Sequence, residues 1–225
     1  MEFNYQVQTV EGLSEKTMDL SRLIVVGFAG RDIEKTMEHI RELEEEGIPA
    51  PATVPVVYEC DPHIITTDST MRVIGDKTSG EVEYLILLDG DKTYIGLGSD
   101  HTDRALETVS IHKSKQLCLK PYVSTFWDLD EIREHFYELE LRATQVLDGE
   151  EIEYQEGTTA DLLPLERIIE EVRKDTDPTN SLIYSGTVPL KAGFKYGQSF
   201  GATLSDRKLD RELRISYDIE VIPEH

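Results

Sequence analysis

Cysteine is nearly missing from this chain. The 225 residues contain only Cys60 and Cys118, with no CxxC spacing and no histidine at finger-like distance. A disulfide framework and a structural zinc cluster are thereby excluded, and both thiols read as reduced core residues. The single tryptophan, Trp127, reads as core. Long apolar runs are missing too, since no stretch approaches the ~20 residues of a membrane span. The opening MEFNYQVQTVEGLSEK has no basic segment followed by an apolar one, so a cytoplasmic protein is expected. Basic charge is in deficit, with 23 Lys and Arg against 45 Asp and Glu and a formal net charge of -22. A field of that sign repels phosphate backbones and anionic lipid, which argues against nucleic acid and membrane as partners. Most of these carboxylates read as a solubilising surface. No repeat or low-complexity segment interrupts the chain, and 39% hydrophobic content is enough for one core, so residues 1–225 are expected to form a single domain.

What is present is a set of short β-branched runs punctuated by a few helical patterns. Arg22 to Phe28, RLIVVGF, reads as a buried strand stopped by Ala-Gly. From Asp32 to Glu46 the spacing of Ile33, Met37, Ile40 and Leu43 predicts a helix, with Asp32 as N-cap and Gly47 as the stop. Pro49, Pro51 and Pro55 lead into VPVVYE, and further strand-like runs follow at HIITT, TMRVIG, EVEYLILL and KTYIGLG. A second helix is predicted over Asp128 to Ala143, on Leu129, Ile132, Phe136 and Leu139, and a third over Leu165 to Lys174. SLIYSGTVPL, KYGQSFGATL and RISYDIEVI read as closing strands, which makes an α+β fold with more strand than helix.

In EVEYLILL alternate side chains leave opposite faces, so Glu81 and Glu83 leave the same one. Two carboxylates one pleat apart can converge on a cation, or can form an ordinary solvated strand face. The segment Tyr94 to Glu107, YIGLGSDHTDRALE, then releases an Asp-His-Thr-Asp-Arg cluster from a glycine-rich strand end, where functional polar groups concentrate. With Asp100 as a third carboxylate the donor set is all oxygen, which suits Mg²⁺ or Mn²⁺; zinc would want more nitrogen or sulfur.

The order of these segments resembles the C-terminal catalytic domain of the fumarylacetoacetate hydrolase family over nearly the whole chain. Glu81-Val82-Glu83 is similar to that family's Glu-x-Glu strand. Ser99-Asp100-His101-Thr102-Asp103-Arg104 is similar to its Asn-Asp-x-Ser/Thr-x-Arg motif, with Ser99 in place of the asparagine. Lys113-Ser114-Lys115-Gln116 matches its Lys-Gly/Ser-Phe-Asp stretch without the aspartate, and Ser185-Gly186-Thr187-Val188 resembles its Thr-Gly-Thr-Pro loop.

The resemblance implies a strand-rich mixed β-sandwich or β-roll with a few peripheral helices, often dimeric. It implies that Glu81, Glu83 and Asp100 ligate Mg²⁺ or Mn²⁺, and that the chain is a hydrolase or lyase acting on an acylpyruvate-like 2-oxo acid through a metal-stabilised enolate. Lys113 would add positive charge beside the metal. Arg104 would either clamp a substrate oxygen or pair with Asp103, and the Ser185-Gly186-Thr187 loop would meet the substrate carboxylate. The family's His-x-x-Glu lid pair is matched in spacing by His39 and Glu42 on the 32–46 helix, although the ungapped position holds Ile33. His101 and His112 stand near enough to act behind the ligands. Against this stand two rival readings: a catalytically inactive metal- and ligand-binding member of the same fold, and an acidic structural protein.

Overall fold

The computed structural model describes residues 1–45 and 47–225, and the side chains of all of these except His39. Two sheets make the body. The larger has eight strands in the order Gly12–Asp19, Glu2–Thr9, Thr125–Asp128, Lys92–Ser99, Val82–Asp89, Ser181–Tyr184, Arg22–Gly27 and Val56–Cys60. Neighbours run antiparallel, except that Glu2–Thr9 is parallel to Thr125–Asp128 and Ser181–Tyr184 is parallel to Arg22–Gly27. The second sheet orders Glu150–Thr158, Glu140–Leu147, Ser199–Asp206, Arg211–Ile222 and Thr70–Ile74, the last pair parallel.

The two-residue side-chain period decides how these sheets pack. Tyr84, Ile86, Ile24, Val26 and Ile183 leave one face of the larger sheet and meet Phe200, Ala202, Leu204, Leu213 and Ile215 of the smaller one. Their alternates Leu85, Leu87, Leu23, Val25 and Leu182 leave the opposite face and meet Phe3, Tyr5, Val7 and Phe126 of the same sheet. A sheet whose own distant strands share a core must curl around it, so the fold is a strand-rich α+β roll packed on a second sheet, as expected.

The first predicted helix forms as Ile33–Glu45, capped where Asp32 accepts from the Glu34 and Lys35 N–H groups at 3.1 and 3.2 Å. Glu46, the expected last residue, lies outside the described residues, and Gly47, the expected stop, has φ +89°. The third forms as Leu165–Asp175, burying Leu165, Ile168, Ile169 and Val172 against the core between the sheets.

The second helix is corrected: only Leu129–Ile132 is α-helical, a 3₁₀ segment Arg133–Glu138 follows, and a strand runs over Glu140–Leu147. The chain leaves helical geometry at His135 (φ −127°), whose Nε2 bonds Asp206 at 2.9 Å. Beyond it Leu141, Ala143 and Gln145 alternate inward. Strand pairing on both sides of that segment overrides the helical register of Leu129, Ile132, Phe136 and Leu139. HIITT shrinks to a 3₁₀ turn and the two-residue strand Ile65–Thr66. The hairpin of Glu2–Thr9 and Gly12–Asp19 was not anticipated, because its second strand is exposed at seven of its eight positions and shows no apolar alternation.

Candidate metal centre

Antiparallel strands Val82–Asp89 and Lys92–Ser99 pair Val82 with Ser99, and the ladder runs one step further: the Asp100 N–H donates to the Glu81 carbonyl at 3.0 Å. This register brings Glu81 opposite Asp100, and the pleat adds Glu83 on the same face. One carboxylate oxygen from each of the three lies within 4.8 Å of the others. Glu83 and Asp100 are buried and Glu81 is half-buried.

Among the described residues, three cations surround this group. The Lys115 ammonium touches Oδ2 of Asp100 and stands 4.0 Å from Glu81, while Lys120 Nζ is 3.1 Å from Asp100 Oδ1. Burial alone would raise the Asp100 carboxyl, yet the two lysines hold it well below the usual carboxylate range. At that spacing a unit pair is worth about 5 kcal/mol at an effective dielectric of about 20. Two such pairs outweigh a desolvation penalty of several kcal/mol. Arg104 reaches Glu81 Oε1 at 3.2 Å and Glu107 at 3.0 Å, donates to Ser79 Oγ at 2.8 Å, and lies 4.3 Å over the Phe194 ring.

Glu83 is placed differently. Burial, reinforced by the negative charge of Asp100, pushes its carboxyl well above the ordinary range. It accepts the Gly186 N–H at 2.9 Å, and among the described residues no Lys or Arg nitrogen is within 4.0 Å of it. A buried carboxylate without a cation is expensive. A divalent ion held between Glu81, Glu83 and Asp100 would supply the missing charge, and an all-oxygen donor set suits a hard cation. The residues present therefore fit a divalent metal.

The other residues singled out from the sequence are placed as follows. Lys113 is exposed, and the lysine that touches Asp100 is Lys115. On the helix Ile111–Leu117 the buried stripe is Ile111, Ser114, Lys115 and then Cys118, which turns Lys113 outward. That i, i+3, i+4, i+7 pattern is the signal that could have separated the two lysines. Gln116, at the position of the missing aspartate, accepts the Asp61 N–H at 2.9 Å. Arg104 does not pair with Asp103, which instead caps a short helix by accepting from the Leu106 N–H at 2.9 Å.

In the Ser185-Gly186-Thr187 loop the groups expected to meet substrate are engaged within the fold. The Gly186 N–H goes to Glu83, the Thr187 hydroxyl donates to the Val82 carbonyl at 2.8 Å, and Ser185 Oγ donates to the Gly186 carbonyl at 3.0 Å. Gly186 has φ +91°, and a Cβ there would stand 2.8 Å from Ala29 Cβ, so only glycine aims this N–H at the carboxylate. Glu42 lies on the Ile33–Glu45 helix, and the side chain of His39 lies outside the described residues. His112 is exposed and bonds the Glu59 carbonyl at 2.7 Å. His101 is fully buried, with Nδ1 3.0 Å from the Tyr217 hydroxyl. Burial and the nearby Lys120 and Arg104 charges push its pKa well below the ordinary histidine value, so it is neutral.

Sequence reasoning missed Lys120 and Tyr217, which carry no local motif and arrive from elsewhere in the chain. A cleft of about 340 Å³ opens beside Arg104, lined also by Lys77, Phe194, Tyr196 and Ile48. A larger depression of about 420 Å³ lies on the outer face of the five-stranded sheet among ion pairs such as Arg142–Glu156, and none of the three carboxylates lines it. Size alone does not locate the chemistry here.

Residues 26–217 match the family described as "Protein of unknown function (DUF2848)". No curated protein matches the chain in sequence. Several solved structures share its fold. The protein Cg1458 is 12% identical with a TM-score of 0.67, covering 99% of this chain and 100% of its own. A 2-keto-3-deoxy-D-arabinonate dehydratase complexed with magnesium and 2,5-dioxopentanoate is 16% identical with a TM-score of 0.64, covering 96% of this chain and 79% of its own. A yeast fumarylacetoacetate hydrolase family protein is 15% identical with a TM-score of 0.64, covering 91% and 94%. At these identities the likeness is one of fold.

Proposed function

The chain belongs to the DUF2848 family and carries the fold of fumarylacetoacetate hydrolase family proteins, and on that premise we propose that it is a divalent-metal-dependent enzyme acting on a 2-oxo acid. The observation that carries this reading is the cluster of Glu81, Glu83 and Asp100 at adjoining strand ends, with Glu83 buried and, among the described residues, no Lys or Arg nitrogen within 4.0 Å of it. These three would hold Mg²⁺ or Mn²⁺, the ion named for the dehydratase of the same fold being magnesium. When bound, such an ion supplies a Lewis acid for the oxygens of a 2-oxo acid.

The chain's own groups then divide the remaining work. Lys115 and Lys120 keep Asp100 ionised and set a positive potential beside the ligands. Negative charge developing on a substrate oxygen would be stabilised there without reorganisation, because both ammonium groups are already fixed by burial. The Gly186 N–H orients Glu83. Arg104 meets Glu81 Oε1 through Nη2 at 3.2 Å and so holds that carboxylate in place, while its guanidinium also borders the cleft in which a substrate oxygen would lie. The body of the substrate would lie in the cleft between Arg104, Lys77 and Phe194. His39 with Glu42 remains our assignment for the proton-transfer pair, resting on spacing along the helix.

The test is thermal. Millimolar Mg²⁺ or Mn²⁺ should raise Tm, since a ligand at 100 times its Kd adds ~2.7 kcal/mol. Glu83→Gln should abolish the shift, and a variant that responds as fully as the parent would remove the centre. A turnover screen of acylpyruvates and other 2-oxo acids with Mn²⁺ then separates an enzyme from a binding protein, because binding needs only the pocket.

A further inference from the structure

We propose that Tyr217 is a positioning residue for the carboxylate centre, its one hydroxyl clasping the side chains on both sides of Asp100 and packing against the residue before Glu81; this rests on the metal-binding reading above. The phenol arrives from Arg211–Ile222 in the five-stranded sheet and is 1% exposed. Its oxygen lies 2.9 Å from Ser99 Oγ and 3.0 Å from His101 Nδ1, the residues immediately before and after Asp100. A Cβ at Gly80 would stand 2.6 Å from that same oxygen and 2.6 Å from Ser99 Oγ, so the hydroxyl pair packs directly on the peptide leading into Glu81. The ring is held in turn by Phe200, at 5.5 Å between centroids.

His101 Nε2 has no hydrogen-bond partner among the described residues, so the phenol supplies the one hydrogen bond to this ring among them. Lys120 Nζ pins the His101 carbonyl at 2.5 Å from the other side. The run Ser99-Asp100-His101 is thus fixed by a lysine that also pairs with Asp100 and by a tyrosine from the opposite sheet that does not. A small hard cation demands near-ideal ligand placement. Groups behind the ligands that enforce such placement typically matter roughly 10–100-fold in metal affinity.

The experiment measures the Kd of Mn²⁺ for the substrate-free protein by electron paramagnetic resonance, so that no turnover is needed. Tyr217→Phe removes one oxygen and should weaken Mn²⁺ roughly 10–100-fold. Ser99→Ala, which leaves the phenol its histidine partner, should weaken it less, and the double variant should add little to Tyr217→Phe alone. Tyr5→Phe is the control: it loses a comparable hydroxyl bond, 2.6 Å to Asp89 at the far end of the strand that follows Glu81, and should keep the parent Kd. If the parent binds Mn²⁺ and both Tyr217→Phe and Ser99→Ala bind within twofold of it, the clasp is refuted while the centre stands. A weakening in Tyr217→Phe no greater than in Tyr5→Phe refutes it as well. A parent that binds no Mn²⁺ overturns the centre itself, and the clasp with it. Should Tyr217→Phe fail to fold, Ser99→Ala still decides the matter.

Discussion

A lysine's value in this protein depends on which way its helix turns it. Lys113 and Lys115 lie two residues apart on one short helix, yet Lys113 is in solvent and Lys115 is buried against Asp100. Removing one partner of a buried pair leaves the other charge uncompensated, which typically costs about 3–5 kcal/mol, whereas surface changes stay within about 0.5 kcal/mol. Because Lys120 stays 3.1 Å from Asp100, Lys115→Met should lose at most about 3 kcal/mol, the low end of that range, in urea denaturation with chelator present, and Lys113→Met should be near neutral. Equal losses would mean that the Lys115 contact with Asp100 stabilises the fold no more than a surface lysine does. The contrast also bears on legibility: the Lys-Ser-Lys string announces that a lysine is available, and only the inward stripe of Ile111, Ser114, Lys115 and Cys118 says which.

Among the elements, the Ile33–Glu45 helix departs most from its expected packing. Of its apolar positions Ile40 is buried, Leu43 is half-buried, and Ile33 and Met37 are 55% and 43% exposed. Thr36 turns inward with Ile40, its hydroxyl bonding the Asp32 carbonyl at 2.9 Å, so the helix rests on the body by one flank. A 13-residue helix held by so few apolar contacts belongs to the low-stability end of a structure, where lids are found. If His39 and Glu42 form the proton-transfer pair, His39→Ala should leave Mn²⁺ and oxalate binding almost unchanged, since neither residue is among the proposed ligands. Turnover should fall by roughly two to four orders of magnitude, the contribution of a positioned base. A His39→Ala variant with undiminished turnover would move the search to other groups near the centre.

For the whole molecule the open question is association. The larger sheet ends in Gly12–Asp19 and Val56–Cys60, and the smaller in Glu150–Thr158 and Thr70–Ile74, edges that pairing between copies could cover. We propose a homodimer, and sedimentation should give a mass near twice 25.6 kDa. Each copy carries a formal charge of -22, so like-charge repulsion should weaken the dimer at low ionic strength and added salt should strengthen it. A monomer at micromolar concentration and physiological salt would refute it. No helix among the described residues is long and apolar enough to cross a membrane.

Local chemistry in the sequence was sufficient for whatever depends on neighbours along the chain. The two-residue period of EVEYLILL put Glu81 and Glu83 on one face, the glycine-rich run into Ser99-Asp100 marked a strand end, and Asp32 and Gly47 bounded a helix. Hydrogen-bond register and side-chain alternation are short-range properties, so such features are legible one segment at a time. The second helix failed because Glu140–Leu147 takes its shape from the strands on either side, Glu150–Thr158 and Ser199–Asp206, the latter more than fifty residues away in sequence. The tertiary structure alone decided that the Gly186 N–H would serve Glu83, that Lys120 would join Lys115 on Asp100, and that Tyr217 would clasp the residues flanking it. Those contacts span 20 to 118 positions, and their strength comes from excluding water around the polar and charged groups that pair. That exclusion exists only once the curled sheet and its partner have closed on each other.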